Sequence, residues 1–326
     1  MSPDRTSGSQ RMLLGVVAVG VLAAAAVVVL TTSMRGNRAS AESPSGPSRD
    51  NPLRPPADSK SEVQQATATA SVDASASPPG GAEQVPAAAP PGKHPIDASL
   101  EIARRVQKHI ADDIKDYTCI FIKEERVNGE LIGPQYIDAK FRQKPLSVYL
   151  KFLKPDSVKG REVIYVAGEN GGKLVAREGS GVKRLIGMVQ LEPTSALAMA
   201  GQRYPIGNAG MAFLTNRLIE VAEQDRKYGE VEVHFYKDAK VGDRSCLLIE
   251  VIHPVPRRVF LFHKALIYID NELQVPIHYK AYLWPKKPGD DPPLDESYTY
   301  ANLKLNVGLT DADFDFKNPK YGFVDK

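Results

Sequence analysis

Three aspartates, six histidines, one glycine-flanked serine and one glycine-rich hairpin are the residues of this chain that could carry chemistry. Asp311, Asp313 and Asp315 open like a calcium loop. Phe316 stands where the loop needs Gly and Gly322 where it needs Glu, so they read as a solvated turn. Gly168-Glu169-Asn170-Gly171-Gly172-Lys173 looks like a phosphate loop, but its spacing is short, Leu174 replaces the Ser/Thr, and its context is a hairpin rather than strand-to-helix. Ser180, between Gly179 and Gly181, lacks the spacing of a nucleophile elbow. His94, His109, His234, His253, His263 and His278 are scattered, and no pair has the spacing of a helix-borne metal site. His263, set among aliphatics, reads as a hydrogen-bonded core residue. Tyr282/Trp284 and Tyr298/Tyr300 fit a binding face and cross-strand packing equally well. No catalytic constellation results; the expectation is a protein that is not an enzyme and needs no metal or cofactor.

The elements that must position these residues are mostly strands. Arg244–Val307 alternates with period two: Leu247, Ile249 and Val251, then Val259 to Ile269, then Ile277, Tyr279, Ala281 and Leu283, then Asp295–Val307. Upstream, Tyr117–Glu125, Tyr136–Arg142, a strand carrying Leu146, Val148, Leu150 and Phe152, the pair Glu162–Ala167 and Lys173–Arg177, a short strand in Lys183–Gln190, and Glu230–Tyr236 complete about ten. A helix capped by Asp97 runs to about Lys115 with the stripe Ala103, Val106, Ile110 and Ile114. A second, with Asn208 as its cap, carries Met211, Leu214, Leu218 and Val221. The segment Thr194–Asp225 that contains it has the flexible approach and apolar face of a lid. A sheet this large and curved is either filled by side chains or encloses a cavity.

Of 326 residues, the first third is not domain-like. Residues 1–11 form a tail, and Met12–Leu30 is an apolar run long enough to cross a bilayer. Its length, with Arg35 and Arg38 before the possible cleavage site Ala39-Ser40-Ala41, favours an uncleaved signal anchor over a signal peptide. Residues 31–95, rich in Ala, Ser and Pro, read as a disordered linker, and 96–326 as one β domain. Arg5 and Arg11 before the span nearly balance Arg35, Arg38 and Arg49 after it, so charge does not orient it. The net charge of +3, with both signs interspersed, gives no nucleic-acid signature. Cys119 and Cys246 both fall on strands of the same domain, where they are either a disulfide or two buried thiols.

From Ala139-Lys140-Phe141-Arg142-Gln143-Lys144-Pro145 onward the chain resembles the periplasmic lipoprotein carriers (LolA/LolB-like). A strand-end Arg, a Pro, an apolar strand, Pro155 and an Asn-Gly hairpin follow in the order of that family's N-terminal half. The strand ending at Asp270, the Tyr-rich strand near Tyr298 and the closing Asp313-Phe314-Asp315-Phe316…Pro319 match its later layout. The runs Lys159–Val166 and Tyr298–Asn306 are similar to those of a planctomycete-type domain family of unknown function related to the carriers. The resemblance, over about residues 97–323, implies a mainly β (α+β) fold: an incomplete antiparallel barrel with a packed N-terminal helix and a lid helix over an apolar cavity. It implies a ligand such as lipid or lipoprotein acyl chains, held by Arg142, by Leu146, Val148, Leu150 and Phe152, and by Met211, Leu214 and Leu218. It also implies a domain in the periplasm, which favours the Cys119–Cys246 disulfide. The anchor read from Met12–Leu30 then makes the chain single-pass in the inner membrane, a departure from the carriers, which diffuse freely. The alternative is a structural or interaction module of the envelope with a side-chain-filled barrel.

Overall fold

A computed structural model describes residues 82–85, 94–179, 181, 185 and 187–323. The expected tail and anchor, and all of the linker apart from 82–85 and 94–95, lie outside the described residues, and no described helix is long and apolar enough to cross a membrane. The rest is a single open antiparallel sheet with two helices on one face. Its strands are β1 (Glu83–Val85), β2 (Asp116–Val127), β3 (Glu130–Arg142), β4 (Ser147–Lys154), β5 (Glu162–Val166), β6 (Leu174–Arg177), β7 (Met188–Leu191), β8 (Glu232–Val241), β9 (Arg244–Ile252), β10 (Lys264–Asp270), β11 (Pro276–Tyr282) and β12 (Leu294–Leu305). They lie in the order β1-β8-β9-β10-β11-β12-β2-β3-β4-β5-β6-β7, so β12 returns to pair with β2 while β1 and β7 stay as edges. The curved sheet is thus an incomplete barrel, of twelve strands rather than ten among the described residues. The strand added to those read from the sequence is β1.

The turn chemistry behaves as the residues dictate. Asn128 and Gly129 both have positive φ, the pair a two-residue hairpin demands, and they join β2 to β3. One expected strand is shorter than its sequence pattern. Arg257–Ile269 reads as a single long strand, yet β10 begins only at Lys264. Pro254 and Pro256 cannot donate to a ladder, and residues 254–261 form a loop instead. That loop is pinned by buried His253, whose ring stacks on Phe260 at 4.1 Å and bonds the Phe262 carbonyl through Nδ1 at 3.0 Å. His263 Nδ1 reaches the His253 carbonyl at 3.0 Å, so this half-buried ring is a hydrogen-bonded structural residue.

Helix α1 (Asp97–Asp113) lays Val106 and Ile110 on the concave face of the sheet, with Ala103 partly buried beside them. Its N-cap is Ile96, not Asp97. The Asp97 carboxylate accepts the His94 amide at 3.2 Å and pairs with Arg226 at 2.6 Å, fastening the helix start to the end of α2 (Met211–Asp225). Gly210, not Asn208, caps α2. Its φ is +98°, and a Cβ there would meet the Tyr117 hydroxyl at 2.7 Å, the same hydroxyl that accepts the Met211 amide at 3.0 Å. Only glycine fits that position. The two helices join through Gln107–Asn216 and Arg104–Glu223, each at 2.8 Å.

Residues 192–210 and α2 connect edge strand β7 to β8, at the other end of the sheet, across the concave face. The convex face of β4–β6 is covered by the C-terminal segment, whose Phe314, Tyr321 and Phe323 pack on Tyr149, Ile164, Val166 and Val175.

Cys119 and Cys246 do not form the expected disulfide. Both are buried free thiols. Cys119 shares the concave face with Phe121, whereas Cys246 alternates with Ile249 and Val251 and so points to the convex face. Three strands, β10 to β12, stand between them in the sheet. No bridge can cross that arrangement, because disulfide Cα atoms must lie within about 7 Å.

Candidate ligand-binding cavity

Under residues 193–210 and α2 the concave face is not filled. A cavity of about 460 Å³ lies there. Its floor follows the register of neighbouring strands. Ile137 faces Phe121 on one side and Phe152 on the other, and Leu150, Val163, Ala176 and Val189 form the next row. Phe121 packs with Tyr298 and Tyr300 at 5.9 and 5.1 Å. The roof is Phe213, Leu214, Leu218 and Val221 of α2 with Leu197, Ala198 and Ile206 of the covering strap. Such a size and such walls suit a small apolar ligand.

One wall is polar. Lys123 and Glu125 follow Phe121 on the concave face of β2. A bulge in β12 leaves Asp295 unpaired between Leu294 and Glu296, so two consecutive acids both face inward. The strap reaches down to them. Lys123 Nζ donates to Glu125 Oε2 at 2.9 Å and to Gln202 Oε1 at 2.6 Å. The Arg203 amide donates to Glu125 Oε2 at 3.0 Å, and its guanidinium pairs with Asp295 at 2.7 Å and Glu296 at 3.3 Å. The hydroxyls of Tyr204, Tyr279 and Tyr298 stand 3.1–3.2 Å from Glu296, and Tyr298 also stands 3.0 Å from Glu125.

Burial sets the electrostatics of this wall. It pushes Glu296 above the usual carboxylate value against the pull of Arg203, and Lys123 below the usual lysine value against Glu125. Burial also lifts the Tyr204 hydroxyl to about 12, with Glu296 adding to it. Arg203 moves the other way from its burial, because Glu296 and Asp295 hold its proton. The five charged groups are saturated by one another, so the wall is a latch between strap and sheet rather than a set of vacant catalytic groups. Among the described residues no group of three or more His, Cys, Asp or Glu could hold a metal ion.

Residues 114–323 match the family described as protein of unknown function, DUF1571. The chain belongs to that family. The DUF1571 match begins at the end of α1 and takes in β2 to β12, so the cavity floor, the strap and α2 all lie within it. No curated protein matches the chain. Among solved structures it is similar to the lipoprotein LppX of Mycobacterium tuberculosis, at 12% identity over 66% of this chain and 98% of that one, with a TM-score of 0.37. It is similar to LprF of Mycobacterium bovis, at 10% identity over 65% and 95%, with a TM-score of 0.34. A LolA superfamily protein of Nitrosomonas europaea matches at 11% identity over 66% and 96%, with a TM-score of 0.25. At these values the likeness bears on neither ligand nor activity.

Of the residues that the sequence assigns to ligand binding, the DUF1571 domain brings Leu150, Phe152, Leu214 and Leu218 to the cavity. Val148 and Met211 are completely buried in the core beside it, and Leu146 packs on that core just ahead of β4. Arg142 is elsewhere. It ends β3 on the convex side, donates to Ser147 at 2.9 Å, contacts Asp311 at 2.5 Å and lies over the Phe314 ring. One residue past concave Phe141, it cannot share that face. Asp313 likewise binds Lys140 at 2.7 Å, so the aspartate run fastens the C-terminal segment to the sheet. Tyr298 and Tyr300 line the cavity and pack across strands at once. Lys123, Glu125, Arg203, Asp295 and Glu296 escape a sequence reading, because a charge on a half-buried strand reads as solvent-facing. The adjacent acids Asp295-Glu296, which cannot both face one side of a regular strand, were the available signal.

Proposed function

We propose that this domain binds an apolar ligand, of the class of lipid or lipoprotein acyl chains, in the concave cavity, and holds or hands on that ligand without chemical change. The cavity itself carries the reading: about 460 Å³ walled mostly by aliphatic and aromatic side chains, under a strap and a helix that could move aside. The polar wall supports it too, since its charges are engaged in closing the site. The sequence resemblance to lipoprotein carriers points to the same ligand class. The reading includes the anchor at 12–30 and a periplasmic domain on the linker, whose reach by the √n rule is about 40 Å.

Lipid extraction and mass spectrometry of the purified chain test the reading, followed by uptake of a fluorescent fatty acid. The expected result is stoichiometric uptake that Ala176→Leu, which adds volume to the cavity floor, reduces severalfold without loss of thermal stability. A folded protein that carries no lipid and takes up no fatty acid overturns it.

A further inference from the structure

We infer that the cavity accepts a single acyl chain, so that the ligand is a single-chain amphiphile rather than a diacyl lipid or a triacylated lipoprotein. This rests on the reading of the cavity as an apolar-ligand site and narrows it. Volume is the first reason. A cavity of about 460 Å³ lies in the lower half of the range, roughly 300–1,000 Å³, of sites that take one small ligand, which suits one ordinary acyl chain better than two or three.

The surroundings give that volume little room to grow. Beyond it, between α1, α2 and β9–β10, only about 70 Å³ is left, and Val106, Ile249, Val251 and Ala265 already pack there. On the opposite flank the strap is tied to the floor by Lys123–Gln202, Arg203–Asp295 and Tyr204–Glu296. Admitting a second chain means breaking those charge-assisted bonds and leaving buried carboxylates without partners, which is strongly unfavourable.

The same wall leaves no internal place for a headgroup. Each of its carboxylates accepts from an Arg, Lys or Tyr, and both of its cations are paired. A headgroup entering there would have to displace one of these bonds. Elsewhere in the lining Arg161, Arg177 and Arg217 are engaged too, by Glu178, the Gly322 carbonyl and Glu220, so the head stays at the mouth and the chain alone is recognised.

The test is competition against a bound fluorescent fatty acid on the full chain, with stoichiometry read by native mass spectrometry. Competitors are saturated fatty acids of increasing length, lysophosphatidylglycerol, phosphatidylglycerol and a triacylated lipopeptide. Affinity is expected to rise by about fourfold per added methylene and to level off near palmitate. Palmitate and lysophosphatidylglycerol should each bind once, and the two- and three-chain lipids should compete at least tenfold more weakly. Equal competition by phosphatidylglycerol or the lipopeptide, two fatty acids per protein, or affinity still climbing well past palmitate overturns the single-chain assignment while leaving an apolar-ligand site standing. Failure of every probe to bind overturns both.

Discussion

The two ends of this sheet solve one problem in different ways. Over β9 and β10 the concave face is covered by α1, whose Val106 and Ile110 belong to the same close-packed core as Ile249, Val251, Ala265 and Ile269. Over β2 to β7 the cover is α2 together with the irregular strap, in which Ala198, Ala200, Gly201, Gly207 and Ala209 stand among Leu197, Tyr204 and Ile206, and a cavity of about 460 Å³ remains. The floors are alike in chemistry, alternating aliphatic and aromatic residues on paired antiparallel strands. The covers differ in how they sit: α1 packs its side chains directly into the floor, whereas the irregular strap is held to the sheet mainly at its polar wall. Whether such a sheet is filled or hollow is therefore decided by the element above it, since a void persists only where the side chains of the cover do not interdigitate with those of the floor.

Truncation should separate the two ends most sharply. Ile110→Ala removes a fully buried side chain from the filled end and is expected to cost about 3 kcal/mol, whereas Leu150→Ala widens an existing void and should cost about 1 kcal/mol. Urea unfolding of the two variants measures the difference. Equal losses would mean that the cavity is as tightly packed as the core.

Next in size is the latch. Arg203→Ala leaves Asp295 and Glu296 nearly buried without their cation. The full penalty of a broken buried pair is larger, but solvent reaches the guanidinium, so about 2 kcal/mol is expected. Amide hydrogen exchange should accelerate across residues 193–209 and remain unchanged in α1. Acceleration spread evenly over both ends would show that the strap is no independent closure.

The pH dependence of the two ends should have opposite sign. At the filled end Asp270 is subject to burial, which raises its carboxyl, but Arg244 and the Leu273 and Glu272 amides prevail and hold it below 3.8. Its folded form binds a proton less readily than its unfolded form. The stability it contributes is complete above the ordinary carboxylate range and is lost as pH falls through its folded value. Glu296 is raised above 4.5, chiefly by burial. Its folded form binds the proton more tightly, so the cost of keeping it charged grows as pH rises above 4.5 and disappears in acid. Relative to wild type, Glu296→Gln should gain stability as pH rises and Asp270→Asn should lose it, both read from urea midpoints across pH. Parallel curves would remove the electrostatic contrast.

The smallest expected effect is that of a reductant, which should leave the melting temperature unchanged. Burial pushes the Cys246 thiol up to about 12 and Cys119 up as well, so neither should react with a thiol reagent until the protein unfolds, and both should then react without prior reduction. One disulfide found in oxidised protein would contradict the placement of the two residues on opposite faces.

What the sequence determined by itself was local. Period-two alternation marked most strands, Asn128-Gly129 marked its hairpin, and the stripe Val106, Ile110 and Ile114 marked the buried face of α1, because these follow from backbone geometry and nearest neighbours. The same periodicity misread Val259 and Leu261 as strand, where Pro254, Pro256 and the pinned His253 make a loop. What only the tertiary structure decided was which faces meet. The sequence could count two cysteines but could not see that they point to opposite sides, nor that Arg142 holds the C-terminal segment on the convex face. It could not see that the Asp295 bulge turns two acids toward one cavity. Those outcomes depend on strand order and register between residues as far apart as Tyr117 and Leu305, 188 positions along the chain. Side-chain patterns carry no record of such pairing until the sheet has formed.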